Sequence, residues 1–176
     1  DRSRLPTEPG VPLLETARFT MRALERGDAA ALLPTLGDEA QCLYLTREAF
    51  ESEQELWGWL ADPSWPGLTW IAVDADEEVV GRFVAVPVEE AGVWDLGYIV
   101  CAHRQREGIA VECSEALLRH LFADGGARKA VAEVDRPGVK DHFLAIMSQD
   151  RTEPVLRAAV RAMPEEISLL VETDLW

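Results

Sequence analysis

Trp94–Ala123 reads WDLGYIVCAHRQREGIAVECSEALLRHLFA. It begins as an apolar run with strand character, passes through a short basic loop and a single glycine, Gly108, and ends in a fifteen-residue amphipathic segment. In that segment Ala110, Cys113, Leu117, Leu118, Leu121 and Phe122 recur at helical spacing, and Gly125-Gly126 stops it. The order strand, loop, glycine, helix lines up backbone N–H groups at a helix N-terminus. That is a place where a phosphate binds.

Working outward, three strand-like runs cover Thr69–Val73, Val79–Val86 and Val93–Val100. Asp74–Glu78 and Glu89–Gly92 separate them, and turns this short imply an antiparallel meander. Upstream, Leu13–Leu24 alternates as one half-buried strand, Gly27-Asp28 offers a cap for a short alanine-rich helix, and residues 48–61 place Phe50, Leu56, Trp57 and Leu60 at helical spacing before Asp62-Pro63. Downstream, Lys129–Val134, His142–Met147 and Glu166–Glu172 have strand character, and Glu153–Met163 has helix character. The order is α+β. Residues 1–12, rich in proline, glycine and charge, read as a loose lead-in, and residues 1–176 as one domain without repeat or linker.

Bulk composition narrows the function. The chain is 48% apolar and carries a formal net charge of -15. That balance argues against a nucleic-acid surface and favours cationic ligands, if it does more than confer solubility. Three widely spaced cysteines (Cys42, Cys101, Cys113) suit neither a disulfide framework nor a metal site, and a reducing, cytoplasmic setting follows. No signal peptide and no membrane span is expected.

The loop Gln105-x-x-Gly108-x-Ala110, behind a strand containing Gly97-Tyr98 and ahead of an apolar-faced helix, resembles the acetyl-CoA segment of the GCN5-related N-acetyltransferase (GNAT) superfamily. LETARFTMRALERGDAAAL near the start resembles the first strand and helix of its ribosomal-protein N-terminal acetyltransferase branch. The resemblance runs from about Leu13 to Phe122 and weakens after Gly126.

It implies a GNAT fold, a mixed and mostly antiparallel sheet flanked by helices, with splayed strands at a coenzyme A cleft. It implies acetyl-CoA as co-substrate without metal. The amides of Arg106, Glu107, Gly108, Ile109 and Ala110 would meet the pyrophosphate, Gln105 opens the motif, and Arg104 or Arg106 would add charge. Glu107 is unhelpful there unless it points away. Backbone groups of Ile99, Val100 and Cys101 would hold the pantetheine, with the thioester near Ile99. Cys101 reads as a small buried residue rather than a nucleophile, because transfer in the superfamily passes directly from thioester to amine.

Asp95 holds the place of an acidic residue two positions before Gly-Tyr, and stands as proton acceptor or substrate-orienting anion. Glu133 and Asp135 are the other carboxylate candidates. His103, His120 and His142 read as solvated or capping. The usual tyrosine acid is missing, since the chain has only Tyr44 and Tyr98, and Ser148 is the nearest substitute. The superfamily's fifth strand is either Lys129–Val134 or His142–Met147. The second is slightly favoured because it sets Thr152-Glu153-Pro154 where an Asn-x-Pro/Ala would stand. Trp57, Trp59, Trp65 and Trp70 gather where the superfamily walls its acceptor pocket, with Trp57 and Trp70 singled out with Asp95 as lining.

The acceptor would be a small cationic amine, an aminoglycoside-like compound or a protein N-terminus. An acyl-CoA-binding sensor without catalysis is the alternative, and an incomplete final sheet would favour a homodimer.

Overall fold

The computed structural model describes residues 10–42, 48–127, 129–134 and 142–147. The strands β1 (Leu14–Glu15), β2 (Thr20–Arg22), β3 (Leu68–Val73), β4 (Val79–Pro87), β5 (Val93–Val100), β6 (Lys129–Val134) and β7 (His142–Met147) form one sheet in sequence order. Every neighbour is antiparallel except β5 and β6, which run parallel. The helices are α1 (Asp28–Leu36), α2 (Glu53–Leu60) and α3 (Ile109–Ala123). This is the α+β arrangement expected.

Two expectations are corrected. Leu13–Leu24 is two short strands rather than one. Thr16 turns the chain between them, its N–H donating to the Phe19 carbonyl and its Oγ1 accepting from the Phe19 N–H at 2.9 Å. A Ser/Thr turn of this kind breaks an alternation that otherwise reads straight through. The parallel partner of β5 is Lys129–Val134, not His142–Met147, which lies antiparallel on the far edge. Ser148, Asp135, Thr152-Glu153-Pro154, Glu153–Met163 and Glu166–Glu172 lie outside the described residues.

The helices start where their first turns are satisfied. Ser52 caps α2 by accepting from the Glu55 N–H at 3.0 Å. At α1 the buried Asp28 accepts from the Glu25 N–H and from both terminal nitrogens of Arg22 at 2.9 Å, which ties the helix to β2 and raises the arginine pKa.

The sheet separates two apolar cores. One face packs Met21, Trp70, Phe83, Leu96 and Val100 against Ile109, Cys113, Leu117, Leu118 and Leu121 of α3. The other packs Ile71, Val73, Val79 and Cys101 against Leu32 and Leu36 of α1, Phe50, and Leu56 and Leu60 of α2. Strand alternation sets the division, since odd and even positions of β3 and β5 point to opposite faces.

Candidate active site at the split between two parallel strands

Strand β5 is eight residues long but shares only three rungs with β6: Val93 with Lys129, Trp94 with Ala130, and Asp95 with Val131. From Leu96 onward no described strand pairs with that edge of β5. The sheet therefore opens toward the carboxyl end of β5, at a parallel pair, where α/β proteins commonly place ligands.

The ladder with β4 shows which backbone groups face the opening. Val88 donates to the Val93 carbonyl and Cys101 donates to the Val80 carbonyl at 2.8 Å. In an antiparallel ladder alternate residues exchange both bonds, so Val93, Asp95, Gly97, Ile99 and Cys101 direct their backbone polar groups at β4. Leu96, Tyr98 and Val100 direct theirs the other way, into the opening. Of Ile99, Val100 and Cys101, only Val100 faces the opening; the other two amides are committed to β4. Gln105 Nε2 donates to the Val100 carbonyl at 3.1 Å and to Gln41 Oε1 at 3.0 Å, so it braces the loop against the strand end.

After β5 the chain makes one 3₁₀ turn over Ala102–Arg104 and enters the loop. Arg106 (φ 68°) and Gly108 (φ 79°) both have left-handed backbone, on either side of Glu107. Left-handed backbone next to a helix start turns successive N–H groups toward one point, which makes an anion-binding nest. Gly108 is the N-cap of α3 and no side chain caps that end, so the amides of Ile109, Ala110 and Val111 lead the helix. The positive φ at Arg106 costs a non-glycine residue energy, the kind of strain that concentrates at ligand loops.

The loop's charges are arranged differently from expectation. Arg104 Nη1 meets Asp74 Oδ2 at 2.8 Å and Glu78 Oε1 at 2.7 Å, and its Nε meets Glu107 Oε2 at 3.0 Å. These partners hold its pKa well above the usual arginine value. They also leave Arg104 as a strut rather than a phosphate ligand. Glu107, pulled onto Arg104, is turned to the protein. Arg106 is exposed on the loop.

Sequence reading missed Arg18. Its Nη2 donates to the Glu107 carbonyl at 2.8 Å and its Nε pairs with Glu112 Oε1 at 2.8 Å. Thr16 Oγ1 also donates to Glu112. Desolvation raises the Glu112 pKa, but the Thr16 and Arg18 hydrogen bonds outweigh it and the net shift is downward. The β1–β2 turn thus fastens the first turn of α3 and ties down the Glu107 carbonyl. The LETARFT stretch carried this signal only through its resemblance.

Asp95, exposed, stands at the last rung before the strands part. Glu133 lies two residues past that rung on β6. Cys101 is 1% exposed and burial pushes its thiol up to about 11, which suits packing rather than nucleophilic attack. His103 Nε2 lies 2.9 Å from Glu78, and His120 packs edge-on to Trp70.

The four tryptophans divide. Trp70 is fully buried on the α3 face, with its Nε1 donating to the Pro12 carbonyl, so it is core and not a pocket wall. Trp57 stacks with Arg26 at 5.3 Å. Trp59 and Trp65 instead converge on the buried Arg82 of β4, at 4.9 and 5.3 Å. Arg82 pairs with Ile99, and alternation puts it on the same face as Asp95.

The profile of the acetyltransferase (GNAT) domain matches residues 18–137. The chain belongs to the GNAT acetyltransferase family. It is a GNAT-type acyltransferase, and the matched region contains the split strands, the loop and α3. No curated protein sequence matches the chain.

Solved GNAT structures share the fold. An acetyltransferase from Bacillus anthracis superposes with a TM-score of 0.65 at 16% identity, over 72% of this chain and 75% of that one. RimL, a ribosomal L7/L12 α-N-protein acetyltransferase solved with coenzyme A, gives 0.63 at 14% identity, over 80% and 100%. Spermidine N-acetyltransferase from Vibrio cholerae, solved with coenzyme A and spermine, gives 0.56 at 21% identity, over 65% and 69%. Among the described residues, no cluster of His, Cys, Asp and Glu is placed to hold a metal ion, and no helix is long and apolar enough to cross a membrane.

Proposed function

We propose that this GNAT protein moves an acetyl group from acetyl-CoA to a primary amine by direct attack. The observation that carries the reading is the parting of β5 from β6 after three rungs, with the uncapped start of α3 at the same end of the strand. Pantetheine would lie along the opened edge, bonded to backbone groups of Tyr98 and Val100. The pyrophosphate would sit on the amides from Arg106 to Ala110, favoured by the helix dipole.

The neutral amine nitrogen attacks the thioester carbonyl carbon. The carbon–sulfur bond then breaks and coenzyme A leaves as thiolate. The proton lost by the amine passes to Asp95, directly or through one water, since Asp95 stands where the cleft begins. Glu133, two residues past the last rung on β6, is the second carboxylate candidate. Ser148 remains the candidate to protonate the thiolate. Spermidine and a ribosomal-protein N-terminus, the acceptors named for two structural neighbours, bracket the acceptor as an amine.

Acetyl-CoA is expected to raise the melting temperature, and thiol release is expected on adding an accepted amine. Asp95→Asn should lower kcat by about 100-fold, the lower range for a lost general base, with the coenzyme A Kd unchanged. Full turnover in Asp95→Asn would move the role to Glu133, tested in the same way by Glu133→Gln. Ligand-induced stabilisation without thiol release across a broad amine panel would favour the sensor reading.

A further inference from the structure

Among the described arginines Arg82 and Arg106 meet no carboxylate, and of those two only Arg82 is buried. Arg18, Arg22, Arg26, Arg104 and Arg119 each meet a carboxylate. Arg82 is 8% exposed, and among the described residues it meets none. The chain has 32 acidic residues against 17 Lys and Arg, so a missing partner is not for want of carboxylates. Among the described residues its Nη2 donates to Thr69 Oγ1 at 3.1 Å and its buried Nε has no acceptor, as is also true of Arg119 Nε. Burial lowers its pKa to about 10. Unpaired charge in a protein interior is costly, and a buried N–H without an acceptor calls for an explanation.

The surroundings are built rather than incidental. Trp59 and Trp65 both stack on the guanidinium, which offsets part of its desolvation. Phe50 braces the Trp59 ring at 5.2 Å. Gly67 lets the Trp65 ring lie against the backbone, because a Cβ there would come within 2.4 Å of it. Three separate segments thus hold one cation, on the Asp95 face of the sheet and opposite Ile99, which neighbours the cleft-facing Val100.

We propose that Arg82 receives an anionic group of the acceptor, and that the acceptor is an amine bearing a carboxylate close to its nitrogen, such as a free amino acid. This rests on the transferase reading above and narrows its acceptor class. It departs from the cationic acceptor that net charge alone suggests, because a polyamine would set a second cation beside a buried one that meets no carboxylate among the described residues. An arginine fork matches the geometry of a carboxylate, offering it two parallel N–H donors.

The test compares glycine, L-alanine and L-phenylalanine with their carboxamides, in wild type and in Arg82→Met, a change that keeps an unbranched chain beside the indoles. Binding is read by tryptophan fluorescence, which needs no turnover. Transfer is read as kcat/KM for thiol release, corrected for the fraction of neutral amine. Wild type should favour a free amino acid over its carboxamide by ~10- to 100-fold, the range for hydrogen bonds to a charged group. In Arg82→Met that preference should fall to near one while the acetyl-CoA KM holds.

Equal handling of acid and amide by wild type, or a preference that survives in Arg82→Met, would overturn the proposal. So would a variant that loses both substrates in equal proportion, as a purely structural arginine would. Should Arg82→Met fail to fold, the wild-type ratio decides alone. Amino-acid binding that depends on Arg82 without any thiol release would sink the transferase reading and leave the carboxylate site standing.

Discussion

The two halves of the cleft are made of different material. The proposed donor side, β5 through the loop into α3, presents backbone: cleft-facing groups of Tyr98 and Val100, then the amides around Gly108 at an uncapped helix end. The proposed acceptor side presents side chains gathered from three places, Trp59 from α2, Trp65 from the connection after it, and Arg82 from β4 with Thr69 beside it. A backbone site depends on local conformation, and one continuous stretch encodes it. A side-chain site depends on convergence, and no single stretch contains it.

The sharpest way to break the donor half is Gly108→Val. A β-branched residue at φ 79° is strained by roughly 1–2 kcal/mol or more, and its side chain would crowd the place where amides and phosphate meet. Coenzyme A affinity should fall by at least 100-fold in a calorimetric titration, with the fluorescence response to amino acids retained. Undiminished coenzyme A binding would remove the loop from the donor site.

Arg18→Met probes the same half less severely. It removes the donors to the Glu107 carbonyl and to Glu112 without touching the nest amides. Coenzyme A affinity should fall by about 10-fold, consistent with one to two hydrogen bonds worth about 1 kcal/mol each. If only the melting temperature moved, Arg18 would be a brace for the β1–β2 turn and nothing more.

This division also explains what the sequence revealed. Strands β3, β4 and β5 and helix α3 were readable because period-2 and period-3.6 patterns stand between clear turns, and the phosphate loop because its glycine, flanks and order are local. The break at Thr16 was hidden, since a side-chain turn leaves the alternation of apolar residues intact. The choice between Lys129–Val134 and His142–Met147 as partner to β5 was also hidden, because both have strand composition and pairing is a long-range property. Arg82 could have been noticed as one charge inside VVGRFVAV, but nothing local links it to Trp59 and Trp65. Trp70 is near them in sequence, but it lies one residue past Thr69 and so on the opposite face.

Acid should loosen the donor half before the acceptor half. Glu112 has a lowered pKa in the folded state, so its contribution to stability is complete above its unfolded value of about 4.3 and is lost as pH falls through the lower folded value. Asp74 and Glu78, held low by the neighbouring backbone amides, His103 and Arg104, act in the same direction. The melting temperature should therefore drop between about pH 5 and pH 3, and Glu112→Gln should flatten that slope while lowering stability at neutral pH. A slope unaffected by Glu112→Gln would mean that the tie to Thr16 and Arg18 is no stronger in the folded chain than solvation is in the unfolded one.

The smallest expected effect sharpens the acceptor half. Trp57 and Trp59 lie two residues apart on α2, both with an arginine against the ring, yet their arginines differ: exposed Arg26, paired with Glu53, for Trp57, and buried Arg82, which meets no carboxylate among the described residues, for Trp59. Trp57→Phe should cost under about 1 kcal/mol, the value of an exposed cation–π contact, and leave the ratio of amino acid to carboxamide untouched. Trp59→Phe keeps an aromatic face on Arg82 but a weaker one, and should shift that ratio by a few-fold. The comparison is informative because both changes remove the same atoms from the same helix. If the two variants moved the ratio alike, the helix as a whole would be setting acceptor choice, and the stacking on Arg82 would be incidental to it.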